Sequence, residues 1–140
     1  LKEFKNIIEK YPNSKYAKES KLKIDLINEQ LAGKHMYLAR FYMKKSKWIS
    51  AIKRLNIILE DYPETIYTIE TLHRLVEIYY KLGNVALAKK YAATLGYNFN
   101  DSDWYKKTYK VIVDQNYEPD TKKTKIKLRD KIKNILKLSK

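Results

Sequence analysis

A six-residue pattern that occurs three times constrains the fold of this chain more than any other feature. In each copy an aromatic residue is followed by Pro or Asn, by Ser or Thr two positions later, and by a second aromatic residue. The copies read Tyr11-Pro12-Asn13-Ser14-Lys15-Tyr16, Tyr62-Pro63-Glu64-Thr65-Ile66-Tyr67 and Phe99-Asn100-Asp101-Ser102-Asp103-Trp104. Proline cannot continue a helix, and Ser14, Thr65 or Asp101 can cap the next helix by accepting its unpaired backbone N–H groups. Each copy therefore predicts the end of one helix and the start of another.

Apolar residues at helical spacing precede each copy of the pattern. Steps of three and four residues place them on one face of a helix. They are Phe4, Ile7, Ile8 and Tyr11, then Leu55, Ile58, Leu59 and Tyr62, then Ala92, Leu95 and Phe99. The chain has only three Gly and three Pro in 140 residues, which is too few for the turns of a sandwich or barrel. The predicted fold class is all-α.

Large and small residues between the copies match the tetratricopeptide pattern, a helix-turn-helix unit of about 34 residues. One unit fits Leu38, Ala39, Tyr42, Ala51, Leu55, Ile58 and Pro63, and the next fits Leu72, Leu75, Val76, Tyr79, Ala88, Ala92 and Leu95. Phe4, Ile7 and Pro12 fit the tail of an earlier unit. We therefore predict a right-handed tetratricopeptide-like helical solenoid that opens inside the second helix of a repeat.

The spacing between copies is uneven, at 51 residues for the first pair and 37 for the second. The additional 14 residues amount to about four helical turns, and we place them in a lengthened first helix from about 14 to 45. Gly33 opposes this placement, since glycine inside a helix costs about 1 kcal/mol relative to alanine. A break near Ala32-Gly33 is the alternative. The remaining predicted helices end near Lys10 or cover 47–60, 65–82, 84–96 and 101–113.

The charge of the chain is concentrated at its carboxy-terminal end. Nine Lys or Arg and two Asp in 120–140 supply half of the net charge of +14. We predict tetratricopeptide-like repeats over 1–113, a polar linker over 114–120 and a basic amphipathic helix over 121–140. Three roles fit this helix: capping the open end of the solenoid, which we favour, lying on anionic lipid, or binding an acidic surface of a partner.

The sequence carries no catalytic, cofactor-binding or metal-binding motif. It has no Cys, and its two histidines, His35 and His73, lack the HxxH or HExxH spacing of metal ligands. It has neither a Gly-rich phosphate loop nor a nucleophile elbow. No apolar run approaches the length needed to span a membrane. We predict a non-enzymatic protein that binds other proteins and needs no cofactor.

Partner-binding residues are predicted on the first helices of the repeats, whose stacked faces form a concave surface in such arrays. Positions between the core residues are expected to point into it. They are Met36, Arg40, Met43, Lys44, His73, Glu77, Tyr80 and Lys81. For any one of them an ordinary solvated or partly packed face is the simpler interpretation, and the candidate groove is the set as a whole.

The stretch from Phe4 to Trp104 resembles the carboxy-terminal half of the BamD (ComL-type) family of outer-membrane assembly lipoproteins. The resemblance is carried by Tyr11-Pro12-Asn13-Ser14-Lys15-Tyr16, by Gln30-Leu31-Ala32 with Ala39-Arg40-Phe41-Tyr42, by Trp48 with Ala51-Ile52-Lys53-Arg54-Leu55 and Asp61-Tyr62-Pro63-Glu64-Thr65, and by Leu75-Val76-Glu77 with Tyr79 and Leu82-Gly83. A long first helix is also a feature of this family. The final basic helix lies outside the match.

The resemblance implies a scaffold subunit of the β-barrel assembly (BAM) complex of Gram-negative bacteria. It implies a lipid anchor on the periplasmic face of the outer membrane, carried by a part of the full-length protein that is absent from this stretch. The implied partners are the periplasmic (POTRA) domains of the insertase BamA, other BAM subunits and nascent outer-membrane proteins, with no specific nucleic acid. Arg54 matches a family arginine in the segment that meets BamA, where it could clamp a carboxylate. The alternative is a surface arginine of little energetic weight.

Two other functions fit parts of the sequence. One is a periplasmic tetratricopeptide adaptor of the cell-division coordinator type, which also has Tyr-Pro-x-Ser turns, although such proteins lack the 14-residue extension. The other is a nucleic-acid binder, suggested by the charge of +14. Basic charge alone gives salt-sensitive, non-specific affinity, and the aromatic residues stand mostly at packing positions rather than on stacking platforms.

Overall fold

The computed structural model describes residues 1–115, and these residues form six α-helices. The helices are α1 (Lys2–Lys10), α2 (Lys15–Lys44), α3 (Trp48–Asp61), α4 (Tyr67–Lys81), α5 (Val85–Asn98) and α6 (Asp103–Gln115). No strand occurs within this described range, which confirms the all-α prediction. The predicted basic helix over 121–140 lies outside the described residues, as do 116–120 of the predicted linker. The first two linker positions, 114 and 115, instead belong to α6.

The three copies of the six-residue pattern end three helices in the same way. The first aromatic residue, Tyr11, Tyr62 or Phe99, donates its backbone N–H to the carbonyl four residues earlier at 2.8 to 3.0 Å. The Ser or Thr hydroxyl of the same copy donates back to the carbonyl of that aromatic residue at 2.8 to 2.9 Å. Each copy thus closes its helix with one backbone and one side-chain hydrogen bond, and the helix ends lie where the pattern predicts them.

Two serines of the pattern also cap the helices that follow. The Oγ of Ser14 accepts from the backbone N–H of Ala17 at 3.0 Å, and the Oγ of Ser102 accepts from that of Tyr105 at 3.1 Å. The cap of α6 is therefore Ser102, and the prediction of Asp101 is wrong by one residue. A capping oxygen must stand directly before the first helical residue, and Asp101 lies one position too early to reach these N–H groups.

The short turns after α2 and α4 share a left-handed residue, Ser46 with φ 55° and Gly83 with φ 77°. In each turn this residue donates its N–H to the carbonyl three residues earlier at 3.0 Å. The next residue, Lys47 or Asn84, donates to the carbonyl five residues earlier at 2.9 Å. This pair of bonds defines the Schellman helix end, in which glycine is the favoured left-handed residue. The two turns are 37 residues apart, so the turn geometry repeats with the sequence.

The chain divides into two compact units, the first Leu1–Thr68 and the second beginning at Ile69. In the first unit α2 packs against both α1 and α3. Its fully buried core consists of Ala32, Met36 and Ala39 from α2 and Ala51, Leu55 and Ile58 from α3. These residues recur every three or four positions, so each helix presents one apolar face to the other.

The long helix α2 runs without a break through Gly33, which confirms the lengthened first helix. Its 30 residues span about 45 Å. A Cβ atom on Gly33 would lie 2.9 Å from the Oη of Tyr67 and 3.2 Å from its Cζ. The glycine therefore gives the Tyr67 ring room to pack against α2, which explains a residue that the helical pattern alone disfavours.

The second unit has a core contributed by three helices. Val76 and Tyr80 of α4, Ala88 and Ala92 of α5, and Ile112 of α6 form one buried cluster. Half-buried Tyr79, Tyr91 and Val111 pack against this cluster, and the rings of Tyr79 and Tyr91 stack with centroids 5.7 Å apart. Small alanines on α5 leave the space that the tyrosines of α4 fill.

Candidate docking surface

Arg54 lies on α3 at the edge of the buried face of that helix. Its neighbours in the helix, Ala51, Leu55 and Ile58, are fully buried and fix the rotation of α3, so the Arg54 side chain is half-buried. Among residues 1–113, whose side chains the structure describes, no hydrogen bond or ion pair engages its guanidinium. The planar group therefore keeps its donors available for an incoming carboxylate.

The pKa of His35 on α2 depends on the charges around Arg54. Burial lowers its pKa, the positive charges of Arg54 and Lys34 lower it further, and Asp61 partly opposes them. The His35 ring stacks on Tyr62 with centroids 6.1 Å apart, and its Nδ1 is buried without a hydrogen-bond partner in the described part of the chain. Burial and the positive charges of Arg54 and Lys34 thus disfavour protonation of this imidazole.

Four of the predicted groove residues lie in the first unit, and they differ in burial. Arg40 and Lys44 are exposed on α2, as expected, and Met43 is half-buried. Met36 is fully buried between α2 and α3, so the expectation that it points into an open groove is wrong. Its side chain fills the core because it lies four residues after Ala32, one turn along the same buried face.

Two exposed aromatic residues in the carboxy-terminal half of α2, Tyr37 and Phe41, were not selected by the sequence analysis. They are 70% and 47% exposed and stand one position after Met36 and Arg40. One residue turns a helix by about 100°, which is enough to move a side chain from core to solvent. Anchoring the helical phase on the small residues Ala32 and Ala39 would have found both aromatic residues.

Two of the four predicted residues of the second unit are buried. His73 is 3% exposed, and its Nδ1 is 2.7 Å from the hydroxyl of Thr108 on α6. Tyr80 is 7% exposed and belongs to the core cluster of this unit. The expectation of an exposed groove position is therefore wrong for both, since each packs against a neighbouring helix. Lys81 is exposed.

Glu77, the remaining predicted residue, is tied to neighbours within its own helix. Its Oε2 accepts from Nη1 of Arg74 at 2.8 Å, and its Oε1 lies 3.6 Å from Nε2 of His73. Burial alone would raise the pKa of Glu77, but hydrogen bonds and positive charge from His73 and Arg74 outweigh it and lower the pKa to about 2. The carboxylate is therefore engaged internally, which suits a structural role.

Trp104 of α6 packs beside His73 and Arg74, the two residues that engage Glu77. Its ring centroid is 5.1 Å from that of His73, 5.3 Å from the Arg74 guanidinium carbon and 4.0 Å from Nζ of Lys107. Arg74 also donates from Nε to Oε1 of Glu70 at 3.2 Å. Arg74 and Lys107 thus both lie within cation–π distance of the Trp104 ring, which stabilises both cations.

A polar cleft of about 560 Å³ lies in the first unit between α2 and the turn that precedes α4. Four carboxylates line it: Asp25, Glu29, Asp61 and Glu64. Glu29 is partly engaged there, because its Oε1 accepts from the backbone N–H of Ile66 at 3.1 Å. Within the described range, no three His, Asp or Glu side chains converge as a metal ion would require.

None of the helices in the described part of the chain combines the length and the apolar character needed to cross a membrane.

Comparison with known proteins places this arrangement in a family. Residues 1–95 match the model of the family YfiO, described as outer membrane lipoprotein. The chain is 46% identical over 115 residues to a protein of Rickettsia prowazekii, a match covering 82% of this chain and 45% of the relative. It is 40% identical over 119 residues to a protein of Caulobacter vibrioides, covering 85% of this chain and 39% of the relative. Both relatives carry the name outer membrane protein assembly factor BamD.

The matches confirm the resemblance seen in the sequence and the tetratricopeptide-like helical fold expected from it. They favour the first of the three functional interpretations. The chain spans less than half the length of these curated relatives.

Proposed function

The chain belongs to the YfiO family of outer membrane lipoproteins, and from that premise we propose that it is a non-enzymatic docking subunit of the outer-membrane β-barrel assembly complex. We place it at the periplasmic face of the outer membrane, held by a lipid anchor in the full-length protein, because lipoprotein is the description of its family. Other subunits of the complex and nascent outer-membrane proteins are further proposed partners. The principal partner we propose is the periplasmic region of BamA.

The observation that carries this proposal is the half-buried Arg54, whose guanidinium has no hydrogen bond or ion pair within the described part of the chain. A guanidinium binds a carboxylate through two parallel N–H···O bonds, which gives both affinity and a defined orientation. Because packing on α3 already restricts the Arg54 stem, less side-chain entropy is lost on binding than for a fully solvated arginine. We propose that an Asp or Glu of a BamA periplasmic domain docks on this guanidinium.

The surrounding sequence favours an acidic partner. From 30 to 59 the chain has seven Lys or Arg and no Asp or Glu. The positive field of these residues attracts a negatively charged surface and repels a positive one. This affects the association rate and the specificity more than the affinity. A carboxylate on Arg54 would offset the positive charge that helps to lower the pKa of His35. Neutralising Arg54 acts to raise the pKa of His35, whereas added burial acts to lower it, so docking is expected to change this pKa.

Titration of the protein with purified BamA periplasmic domains tests the proposal. We expect micromolar or tighter binding, weakened at least tenfold by Arg54→Ala and less by Arg54→Lys, which keeps the charge but loses the two-pronged geometry. Lys53→Ala is the matched control, since it removes a neighbouring exposed cation, and should change the affinity less than twofold. An NMR titration of the imidazole of His35 gives an independent readout. A folded protein that does not bind at micromolar concentration, or equal affinity for wild type and Arg54→Ala, would overturn the proposal.

A further inference from the structure

A second exposed surface of the first unit lies on α2, away from Arg54. We call it the aromatic patch and define it by Lys34, Tyr37, Arg40, Phe41 and Lys44. At about 100° per residue these five positions fall within roughly 120° of one face of the helix. Tyr37 is 70% exposed and Phe41 is 47% exposed. The patch therefore presents two aromatic rings among three cations.

The aromatic patch and the Arg54 region lie on different sides of α2. The charge of Arg54 lowers the pKa of His35. Tyr37 lies two positions after His35 and hence about 200° further around the helix. His35 stacks on Tyr62, whereas Tyr37 faces solvent. The aromatic patch therefore centres on another side of α2, and we treat it as additional to the proposed BamA site.

The repeat architecture does not require exposed aromatic residues at these positions. Residues 37 further along the chain are their counterparts in the second unit, and these are Arg74 and Ile78. Arg74 is engaged by two carboxylates of its own helix, and Ile78 is fully buried. The open aromatic pair thus belongs to α2 alone. Tyr, Phe and Arg are also the residue types enriched at the centres of protein interfaces.

The Phe41 ring contacts a neighbouring aromatic ring. It makes an edge contact with the half-buried Tyr42, with centroids 5.8 Å apart and an angle of 66° between the rings. One turn before Tyr37, the ring of Tyr67 packs against Gly33 on the same side of α2. The patch is therefore bounded by a side chain of another helix. That shape suits a polypeptide segment better than the flat surface of a bilayer.

We propose that the aromatic patch docks an acidic amphipathic segment of a partner protein, with apolar side chains over Tyr37 and Phe41 and carboxylates beside the flanking cations. Charge complementarity identifies this class of partner, because no Asp or Glu occurs between 30 and 59. The aromatic patch is about three helical turns long, from Lys34 to Lys44, so a short helix or an extended segment of similar length can cover it.

Two synthetic peptides provide the test. The first is an 18-residue helix of Leu, Ala and Glu with Leu along one face and Glu on both flanks; the second replaces every Glu with Lys. Binding is measured by fluorescence anisotropy against the whole chain at low and at high salt. We expect micromolar binding of the acidic peptide, several-fold weakening at high salt, and no binding of the basic peptide.

Variants locate the bound peptide. Tyr37→Ser with Phe41→Ser should weaken binding at least tenfold, and Tyr37→Ser alone keeps the test available if the double variant unfolds. Ile49→Ser with Tyr97→Ser is the matched control, since these residues are 71% and 84% exposed elsewhere, and should change affinity less than twofold. Arg54→Ala should leave peptide binding intact, and the patch variant should leave BamA binding intact, so the two proposals fail separately.

Three results would overturn the inference. The first is equal binding of the acidic and basic peptides, and the second is equal binding by wild type and patch variants. The third is patch-dependent binding to phosphatidylglycerol vesicles without patch-dependent binding of the acidic peptide, which would assign the surface to a membrane.

Discussion

Replacing Glu77 with Gln separates a structural role for this carboxylate from a docking role. The substitution keeps the size and shape of the side chain but removes the charge that holds Arg74 at 2.8 Å and faces His73 at 3.6 Å. If Glu77 serves the fold, the variant loses stability and keeps its affinity for partners once folded. If Glu77 serves docking, the affinity falls and the stability does not.

The expected loss of stability in Glu77→Gln follows from the lowered pKa of Glu77. A carboxyl whose pKa falls from 4.5 to about 2 on folding corresponds to roughly 3 kcal/mol at about 1.4 kcal/mol per pKa unit. The Glu77 side chain is 28% exposed, so solvent screening reduces this figure and we expect about 1 to 2 kcal/mol. Because the folded-state pKa is the lower one, this stabilisation is complete above about pH 5. It is lost as the pH falls from there towards 2.

Urea unfolding followed by circular dichroism at pH 7 and pH 3 measures this difference. The stability gap between wild type and Glu77→Gln should be present at pH 7 and much smaller at pH 3. Asp103→Asn is the control, since Asp103 pairs with Lys106 at 3.0 Å on an open surface and its loss should leave the stability unchanged. A gap that is absent at pH 7, or that is equally large at both pH values, would refute the reasoning.

Three further predictions concern stability, each measured by urea or thermal unfolding. Ser46→Gly should stabilise the protein by about 0.5 to 1 kcal/mol and Gly83→Ala should destabilise it by about 1 kcal/mol, since both residues have positive φ. A Cβ on Gly83 would meet no atom within 4 Å, so the cost there comes from the backbone and not from a clash. Changes of opposite sign would contradict the left-handed geometry. Gly33→Ala should be more favourable, by about 1 kcal/mol, in a Tyr67→Ala background than in wild type, because the ring that obstructs the new methyl group is then absent; additivity would exclude that contact. Thr108→Val should cost about 1 to 3 kcal/mol by leaving a buried imidazole without its hydrogen-bond partner, and a neutral effect would exclude this bond.

Helix number and helix ends were predictable because they depend on local chemistry. The hexapeptide ends a helix through bonds that span only three or four residues, so Tyr11, Tyr62 and Phe99 behave alike wherever they occur. The lengthened α2 followed from counting residues between copies. Gly33 could not be interpreted in this way, because its reason is the ring of Tyr67, which is 34 residues away in the sequence.

The candidate surface was harder to predict because the difference between core and solvent is a single residue on a helix. Met36 and Tyr37 are neighbours and both suit a groove by type, yet one is fully buried and the other is 70% exposed. His73 was misplaced for another reason, because a polar residue is expected outside. Its burial depends on a hydroxyl that α6 supplies 35 residues later.

The length of α2 has a rotational consequence. Each residue turns a helix by about 100°, so the additional 14 residues turn it by about 1,400°, only about 40° short of four full revolutions. The side of α2 that contacts α1 and the side that contacts α3 thus point in nearly the same direction around the helix axis. Loss of a single residue between these two contact zones would rotate one face by about 100° relative to the other. Loss of a whole turn would mainly slide α1 along the helix axis. Natural length variants of this helix should therefore differ by three or four residues, or by multiples of a turn, rather than by one or two.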